Sequence, residues 1–505
     1  MDLLASLSGL LNTNTLALLA SLLVIIVIRY LVVRPRNLPP GPCGIPIFGY
    51  LLSLFRTGYP WDIIFKKREK YGDIWSMYLG SQLVVVLHNW KLVKEALVDQ
   101  GDHTSYRAIM HGLNVATDGG RGIVHSNGRQ WKEHRRFLLK SLRGFGVGTK
   151  SIEERIMEEV DYLTTQMAKQ QGKPFSISNY LHLVSTNIIL HVVFGKRFDL
   201  DNKELNVLLR ALHGMFHDLE GFVNPLIYVP WLRHLPFIRT KYTEMVNHMT
   251  TVVNWSKKQI AEHRSTYDPK CMRDVVDDYI REQKEQFKLL GEESTFTESQ
   301  FAKTLTDLIV AGIETFSTTF DWFAFYMAMC PDVQSKVRAE IDEVIGTSRL
   351  PTYEDRLKMP YTEATCMELQ RIGNIAMSLF LRTVTKDIEL EGYNIPAGSA
   401  LIVNLYTMQI DEGYWKNPDE LNPDRFIDGS GKVIVKPDSF MPFSLGRRNC
   451  IGESLGKMEL FLFLTSILQK FELTFPKGAP LPTTEHICRG ITMAPKPYEI
   501  CATQR

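Results

Sequence analysis

The sequence predicts a mainly α-helical protein with a minor β part, in one piece from about residue 50 to the C-terminus. From residue 151 onward, long stretches carry apolar residues at helical spacing with charged outer faces, as at Ile152–Gln170. Strand patterns are sparse: the first is Tyr78–Leu87, and later ones lie at Ile388–Tyr393, at Leu401–Leu405 and near the C-terminus. No internal repeat and no low-complexity block divides the chain.

The composition is that of a globular protein and excludes several classes of partner and site. The chain has 505 residues, 45% hydrophobic and 23% charged, and a net charge of +2 that gives no bulk attraction to nucleic acid. One core around a cofactor can reach this length. The seven cysteines lack Cys-x-x-Cys spacing, which argues against a zinc site and against a disulfide framework. A protein without such a framework is typical of the reducing cytosol.

The N-terminal apolar segment Leu16–Val33 is followed, not preceded, by basic residues. As a helix it would rise roughly 27 Å, just enough to span a bilayer. Arg29, Arg34 and Arg36 lie at or beyond its end, which favours an uncleaved anchor over a removed signal peptide and leaves the body in the cytosol. We therefore expect a transmembrane signal anchor over 1–34, a proline-rich hinge over 35–49 and a catalytic domain over 50–505.

The segment FSLGRRNCIG near the C-terminus suits a cysteine thiolate held against a haem iron. A thiolate axial ligand donates electrons and favours cleavage of a bound O–O bond. Gly446 and Gly452 allow the backbone close to a flat macrocycle and turn N–H groups towards the sulfur of Cys450. Phe443 would screen the sulfur from water, and Arg448 is placed for a bidentate contact with a haem propionate. An isolated cysteine would instead indicate an inert residue in a turn.

This segment is similar to the haem-binding loop of the cytochrome P-450 family, Phe-x-x-Gly-x-Arg-x-Cys-x-Gly, and matches every defining position. The resemblance covers nearly the whole chain. It implies the cytochrome P-450 fold, a single large haem domain, with haem b as cofactor and Cys450 as the axial ligand of its iron. Three stretches of sequence resemble animal microsomal members of family two: Ser151–Glu154, Phe194–Phe198 and the Pro-Pro-Gly-Pro hinge.

A second motif lies in a predicted helix at Leu305–Phe320. Gly312 weakens the helix locally, and Glu314 and Thr315 then place an acid beside an alcohol where a loosened ladder can admit water or O2. By resemblance to the family motif Ala/Gly-Gly-x-Asp/Glu-Thr, Thr315 steadies oxygen over the haem and Glu314 helps supply protons for O–O cleavage. The residues alone equally allow a tolerated glycine and a solvated glutamate.

Glu368 and Arg371 stand three apart on a predicted helix, so they share a face and can form an ion pair. That spacing alone is also typical of surface pairs. The downstream segment Pro423–Phe426 matches the family's Pro-Glu-Arg-Phe element, with Asp in place of Glu. By this resemblance Arg425 closes a buried network beneath the haem loop, and we assign the three charged residues a structural role.

Three further residues are assigned to the haem propionates by resemblance. Trp131 and Arg135 fit the family's Trp-x-x-x-Arg helix, whose i and i+4 residues face one way. Arg382 aligns with a third contact, although Leu381 stands where a proline is expected, and the residue alone also fits a charged strand end. His134 is expected at the surface and not as an iron ligand.

The resemblance also implies electron-transfer partners and a location. Lys132, Arg136, Arg447 and Lys457 are candidates for a basic patch that would steer an acidic electron donor, although four solvated charges are the alternative. In microsomal relatives that donor is NADPH-cytochrome P-450 reductase, with cytochrome b5 as a further candidate. NADPH would thus act indirectly, O2 would be a co-substrate, and the protein would lie in the endoplasmic reticulum membrane by a single span, with its catalytic domain cytosolic.

The substrate side of the chain is apolar. The segment Gly221–Leu232 is too apolar for an ordinary surface loop, and would either dip into lipid near the substrate route or pack on the body. By resemblance the substrate pocket includes Val310, Ala311, Ala376, Phe380 and Ile491. These side chains are apolar, so they imply a lipophilic small molecule without naming it.

Taken together, the residues and the resemblance predict a membrane-anchored haem-thiolate monooxygenase that hydroxylates or epoxidises a lipophilic substrate. The alternative is a haem-thiolate isomerase, a dehydratase or a peroxide-using enzyme without O2 activation. Glu314 and Thr315 discriminate between them, because the alternatives have no need of delivered protons. A membrane scaffold with a vestigial site would require the ligand or its support to be missing, and both are in the sequence.

Overall fold

The computed structural model confirms the mainly α architecture with a small β part. It describes residues 17, 18, 20–22, 24, 25, 35–45, 47–55, 60–108, 118–145, 150–199, 202–219, 228–376, 378, 381–432, 434–489 and 492–505. Most of the expected anchor, 1–34, lies outside these residues. Among the helices that are described, none has the length and apolar character needed to cross a bilayer.

Helices account for most of the described chain. The α-helices are α1 Leu51–Phe55, α2 Pro60–Tyr71, α3 Trp90–Lys94, α4 Gly101–Thr104, α5 Gly122–His125, α6 Gly128–Gly144, α7 Lys150–Lys169, α8 Ser178–Phe194, α9 Lys203–Leu219, α10 Pro236–Ser265, α11 Val275–Leu290, α12 Glu298–Met329, α13 Pro331–Val344, α14 Pro360–Gly373, α15 Leu405–Ile410 and α16 Glu453–Lys470. A π-helical turn, Glu95–Asp99, continues α3, and short 3-10 helices cover Pro230–His234, Gly291–Glu293, Tyr353–Lys358 and Pro423–Phe426.

The described strands form one mixed sheet and three two-stranded antiparallel pairs. They are β1 Ile74–Leu79, β2 Gln82–Leu87, β3 Tyr106–Arg107, β4 Arg382–Thr383, β5 Ile388–Leu390, β6 Tyr393–Ile395, β7 Ala400–Val403, β8 Phe471–Thr474, β9 His486–Arg489, β10 Thr492–Pro495 and β11 Cys501–Gln504. The larger sheet has the order β1-β2-β7-β4-β3, with β2 and β7 parallel, and the pairs are β9 with β10, β8 with β11 and β5 with β6.

Two of the segments with strand patterns belong to hairpins. Tyr78–Leu87 divides where Gly80 takes a φ of +60°, and Tyr78 then pairs with Leu83 across the turn. Ile388–Tyr393 divides at Glu391 and Gly392, which both have positive φ. Two successive residues of positive φ are typical of the tight turns that join antiparallel strands. The alternating pattern is the same on both sides of such a turn, so the pattern alone could not locate it.

The longest helix, α12, runs through the main core and is buried on nearly all sides. Helix α8 packs along it. From the other direction, the rings of Phe316 and Phe320 meet Phe463 of α16 at centroid distances of 5.1 and 5.2 Å. The segment that carries Glu314 and Thr315 is therefore held by two neighbouring helices.

A buried cluster of His263, Asp274 and Asp277 joins α10 to α11. His263 Nε2 lies 2.9 Å from Asp274 Oδ2, and its Nδ1 lies 2.8 Å from the Gln259 carbonyl oxygen. Asp277 accepts two hydrogen bonds from the guanidinium of Arg273. Both ring nitrogens and the Asp277 carboxylate thus already have protein partners, which fits a structural joint between helices.

This joint predicts a pH dependence of stability. Burial lowers the pKa of His263, but the hydrogen bond and charge of Asp274 outweigh it, so the pKa is raised above 6.5. A raised folded-state pKa contributes stability that is full below about pH 6.5 and is lost as pH rises through the folded pKa. We expect urea unfolding to show a larger loss of stability from about pH 6 to pH 8 in the wild type than in His263→Gln. Equal losses would contradict this.

Candidate active site

The cysteine loop closes on itself just before α16. The Cys450 N–H donates to the Phe443 carbonyl oxygen at 3.0 Å. Gly446 has a φ of +75°, and a Cβ at this position would lie 2.1 Å from the Leu97 carbonyl oxygen. Glycine is therefore required where the loop touches the π-helical turn. At Gly452 a Cβ would lie 3.8 Å from Cys450 Sγ, an ordinary contact, so protein packing alone does not demand glycine there.

The Cys450 sulfur has accessible surface and yet is closely surrounded by protein. Burial raises the pKa of its thiol, while hydrogen bonds from the backbone N–H groups of Gly452 and Glu453 act in the opposite direction. A coordinated metal ion deprotonates a thiol outright. The two N–H groups then lie where they would stabilise and tune the thiolate.

Four guanidinium groups gather near this loop: Arg107, Arg135, Arg382 and Arg448. Burial, together with the charges of Arg107 and Arg135, lowers the pKa of Arg448 to about 8. Burial, together with the charge of Arg135, lowers the pKa of Arg107 to about 10. Burial is the largest cause that lowers the pKa of Arg382 well below its ordinary value, and the charges of the other three arginines act in the same direction. Such a cluster of buried like charges is stable only with anionic partners.

The cluster fits the two propionates of a haem. Arg107 and Arg382 stand directly opposite each other on β3 and β4, an arrangement of like charges that destabilises a sheet on its own. Nε and Nη2 of Arg382 are buried and find no hydrogen-bond acceptor in the described part of the chain. Carboxylates would supply both the charge and the acceptors. Arg107, Arg135 and Arg382 are therefore the residues best placed to hold such groups.

Arg448 occupies the same region in a different way. Its Nε donates to the Ser105 carbonyl oxygen at 2.8 Å and its Nη2 to the Ser126 carbonyl oxygen at 2.6 Å. Its guanidinium carbon lies 3.9 Å from the centre of the Trp131 ring, a cation–π contact. The donors needed for the expected bidentate propionate contact are thus largely engaged by backbone. Arg448 contributes positive charge and ties the cysteine loop to the residue before β3 and to the residue after α5.

Arg107 was not predicted as a site residue, because no motif surrounds it. Its position becomes meaningful only through the pairing of β3 with β4, which joins residues far apart in sequence. Arg135 was expected, and its Nη2 also donates to Asn449 Oδ1 beside the cysteine. His134 was expected at the surface, but it is fully buried, with Nε2 3.1 Å from the Thr295 carbonyl oxygen. An apolar helix face accepts histidine when both ring nitrogens find partners, and Tyr279 supplies the second.

Replacing Arg382 with leucine should change the apoprotein and the haem-loaded protein in opposite directions. Without haem, removal of an unpaired buried charge should stabilise the protein, by about 1 kcal/mol or more. With haem, the loss of a charged hydrogen bond of about 1.5–3 kcal/mol should weaken haem retention by roughly 10- to 150-fold. Urea unfolding of the apoprotein and haem transfer to apomyoglobin measure the two effects. Equal haem retention would contradict the assignment.

The helix α12 continues through Gly312, so the expected local opening of the helix is not observed in its described residues. The glycine serves packing: a Cβ at Gly312 would lie 2.7 Å from Ile189 Cγ1 on α8. Thr315 Oγ1 donates to the Ala311 carbonyl oxygen one turn earlier, at 2.6 Å. Such a bond can bend a helix slightly and here fixes the orientation of the hydroxyl.

Glu314 is buried, with 3% of its surface exposed, which rules out the reading as a solvated glutamate. Its Oε1 accepts a hydrogen bond from Thr492 Oγ1 on β10 at 3.0 Å. Of the expected pocket residues, Ala311 is exposed and Val310 and Ala376 are half-buried, while Phe380 and Ile491 lie outside the described residues. Ala311 is thus an exposed residue in the middle of a largely buried helix.

Glu368, Arg371 and Arg425 form one buried network. Arg371 donates through Nε and Nη2 to the two Glu368 oxygens at 2.7 and 2.8 Å, and both side chains are fully buried. Arg425 Nε reaches Glu368 Oε1 at 3.1 Å, and the Asn422 N–H reaches the same oxygen at 3.0 Å. Backbone carbonyls, including that of Gln409 at 2.6 Å, accept further bonds from Arg371. The pair therefore meets the requirement that a buried charge be paired and hydrogen-bonded.

Comparison with known proteins agrees with this geometry. The profile of the family described as Cytochrome P450 matches residues 39–502. The chain is 36% identical over 473 residues to cytochrome P450 2D27 of Mesocricetus auratus, covering 92% of this chain and 93% of that protein. It is 37% identical over 480 residues to cytochrome P450 2J2 of Homo sapiens, covering 93% and 92%. These relatives confirm the resemblance to family two. The chain therefore belongs to the cytochrome P450 family and is a monooxygenase of the oxidoreductase class.

Proposed function

We propose that the protein hydroxylates or epoxidises a lipophilic small molecule with one oxygen atom of O2, using electrons that NADPH supplies through a reductase. The observation that carries this proposal is the buried carboxyl of Glu314 and the oriented hydroxyl of Thr315 at consecutive positions of α12. Enzymes that rearrange or consume a peroxide need no such proton source. Burying a carboxyl in the protein core costs free energy, so a buried carboxyl with no function would be unfavourable at this position of α12.

The residues assigned to the cofactor fit haem b. When bound, haem supplies the one-electron and O2 chemistry that amino-acid side chains lack. Cys450 would be its axial ligand, and Trp131 and the arginine cluster would hold its propionate side. Phe443, whose carbonyl oxygen closes the cysteine loop, would lie beside the sulfur and limit access of water to it.

The proposed proton path uses two neighbouring side chains of α12. The Thr315 hydroxyl donates to the Ala311 carbonyl oxygen, so its own oxygen remains able to accept a hydrogen bond from water. The Glu314 carboxyl can hold a proton and release it to that water. Burial excludes bulk solvent, so proton transfer would depend on these placed groups.

An acidic donor such as NADPH-cytochrome P-450 reductase or cytochrome b5 is the proposed electron-transfer partner. Lys132 and Arg136 are exposed one helical turn apart on α6. By contrast, Arg447 pairs with Asp102 at 2.6 Å, and Lys457 pairs with Glu453. Because these acids offset the charges of Arg447 and Lys457, the two α6 residues are the better candidates for steering a donor.

We place the protein at the endoplasmic reticulum membrane, with its catalytic domain in the cytosol. Ile45, Ile47 and Trp231 are each about half exposed, and the Trp231 ring packs edge-on against Phe48 at 6.2 Å. Residues 221–227 of the expected lipid-facing segment lie outside the described residues. Exposed apolar side chains on the hinge and next to the Trp231 ring are typical of an interfacial surface.

Reconstitution of the purified protein with reductase, NADPH and lipid tests the proposal. Lipophilic compounds would be screened for a spectral shift on binding, and each binder would then be tested for oxygenated product. We expect product formation that requires both NADPH and O2. Turnover by peroxides alone, with no NADPH-dependent product from any binder, would contradict the proposal and favour the isomerase, dehydratase or peroxide-using alternative.

A further inference from the structure

We propose that Thr492 on β10 is a positioning residue for Glu314, the acid assigned above to proton supply. This inference rests on the proposed function. Thr492 is 2% exposed and Glu314 is 3% exposed, and the Thr492 hydroxyl donates to Glu314 Oε1 at 3.0 Å. The bond joins a C-terminal strand to the centre of α12, across 178 positions of sequence.

A second threonine extends the contact. Thr318 Oγ1 lies 3.1 Å from Thr492 Oγ1, and Thr318 is 1% exposed. A hydroxyl has one proton to donate, and that of Thr492 is directed at Glu314, so Thr318 is the donor in the contact between the two threonines. Thr318 and Glu314 are four residues apart and share one face of α12. The resulting chain of hydrogen bonds runs from Thr318 to Thr492 to Glu314.

The backbone next to Thr492 is fixed to the same helix. The Met493 N–H donates to the Ile375 carbonyl oxygen at 2.9 Å, and the Met493 carbonyl oxygen accepts from Trp322 Nε1 at 2.8 Å. Trp322 belongs to α12, two turns beyond Glu314. The backbone that follows Thr492 is thus fixed both to α12 and to the segment after α14.

The hydrogen bond from Thr492 restricts the orientation of the Glu314 carboxyl. A carboxyl that delivers protons must be held in one orientation between turnovers, and a donated hydrogen bond selects that orientation. Loss of the Thr492 hydroxyl would let the Glu314 side chain take other rotamers, so the proton would less often be in place when needed. Through the Thr492 hydroxyl, the hairpin of β9 and β10 would thus influence proton supply by Glu314.

Thr492→Val, which keeps the shape and removes the hydroxyl, tests this inference. We expect product formed per NADPH consumed to fall by about 2- to 10-fold, the range of one lost hydrogen bond, with an altered solvent isotope effect and pH profile. Substrate dissociation constants should stay unchanged, and Thr492→Ser should restore the wild-type behaviour. Thr318→Val should shift the same quantities less. Thr474→Val, an exposed threonine on β8, is the matched control.

A readout independent of turnover is the thermal midpoint of the haem-loaded ferric protein. Thr492→Val and Glu314→Leu should each lower it, and the double variant should lower it by less than the sum, because both substitutions remove the same hydrogen bond between Thr492 Oγ1 and Glu314 Oε1. If Glu314→Gln leaves coupling and isotope effect unchanged, the proton role in the proposed function fails. If Glu314→Gln changes them and Thr492→Val does not, or the two midpoint shifts simply add, the role of Thr492 is overturned.

Discussion

Glu368→Ala is expected to leave almost no haem-loaded protein. The substitution strands Arg371 and Arg425 without the carboxylate that both contact, and Arg371 is fully buried. Removing one partner of a buried pair costs about 3–5 kcal/mol. That is a large share of the roughly 5–15 kcal/mol by which a folded protein is stable. Soluble yield and haem absorbance per mole of protein would measure the loss.

The matched control is Glu158→Ala. Glu158 also pairs with an arginine three residues away, Arg155, but the two side chains are 50% and 46% exposed. An exposed pair of this kind contributes at most about 1 kcal/mol, so this variant should retain wild-type haem content. Comparable haem content in Glu368→Ala and wild type would show that the buried network is dispensable and would remove its structural assignment.

Cys450→Ser is expected to abolish NADPH-dependent oxygenation while the polypeptide still folds. The substitution changes one atom of the side chain. The loop is held by the backbone hydrogen bond from Cys450 to Phe443 and by the contact of Gly446 with the π-helical turn. A serine hydroxyl is far less acidic than a thiol and a much weaker electron donor, so O–O cleavage loses its driving ligand. Product analysis in the reconstituted system measures the loss.

Cys43→Ser is the corresponding control, because Cys43 is exposed and lies in the expected hinge. It should behave as wild type in haem content and turnover. Circular dichroism would show whether Cys450→Ser retains helix content, which separates loss of the ligand from loss of the fold. Oxygenation at the wild-type rate in Cys450→Ser would remove the foundation of the assignment.

The parts of the site predicted from sequence are those carried by short contiguous motifs. The cysteine loop, the acid and alcohol on α12, and Glu368 with Arg371 each depend on residues within one or two turns of each other. Family membership followed from those motifs and the mainly α fold from the helical spacing of apolar residues, and both are confirmed. Their chemical roles remain predictions that the experiments above address.

The features that sequence could not supply depend on contacts between distant segments. Arg107 lies opposite Arg382 through strand pairing, and Arg448 donates hydrogen bonds to backbone carbonyl oxygens far away in sequence. Gly312 resembles a helix weakener until Ile189 of α8 is placed against it. Likewise, burial of His134 depends on partners from α11 and the segment that precedes α12. In each case the residue type was visible, but its neighbour was not.

The most direct test of the central claim is the absorption spectrum of the reduced protein under carbon monoxide. The position of the main band reports the ligand opposite the carbon monoxide, and thiolate ligation gives a band distinct from that of histidine or a neutral thiol. We predict the thiolate band in the wild type and its disappearance in Cys450→Ser. A wild-type spectrum of the histidine or neutral-thiol kind, or a thiolate band that persists in Cys450→Ser, would contradict the assignment of Cys450 as the iron ligand.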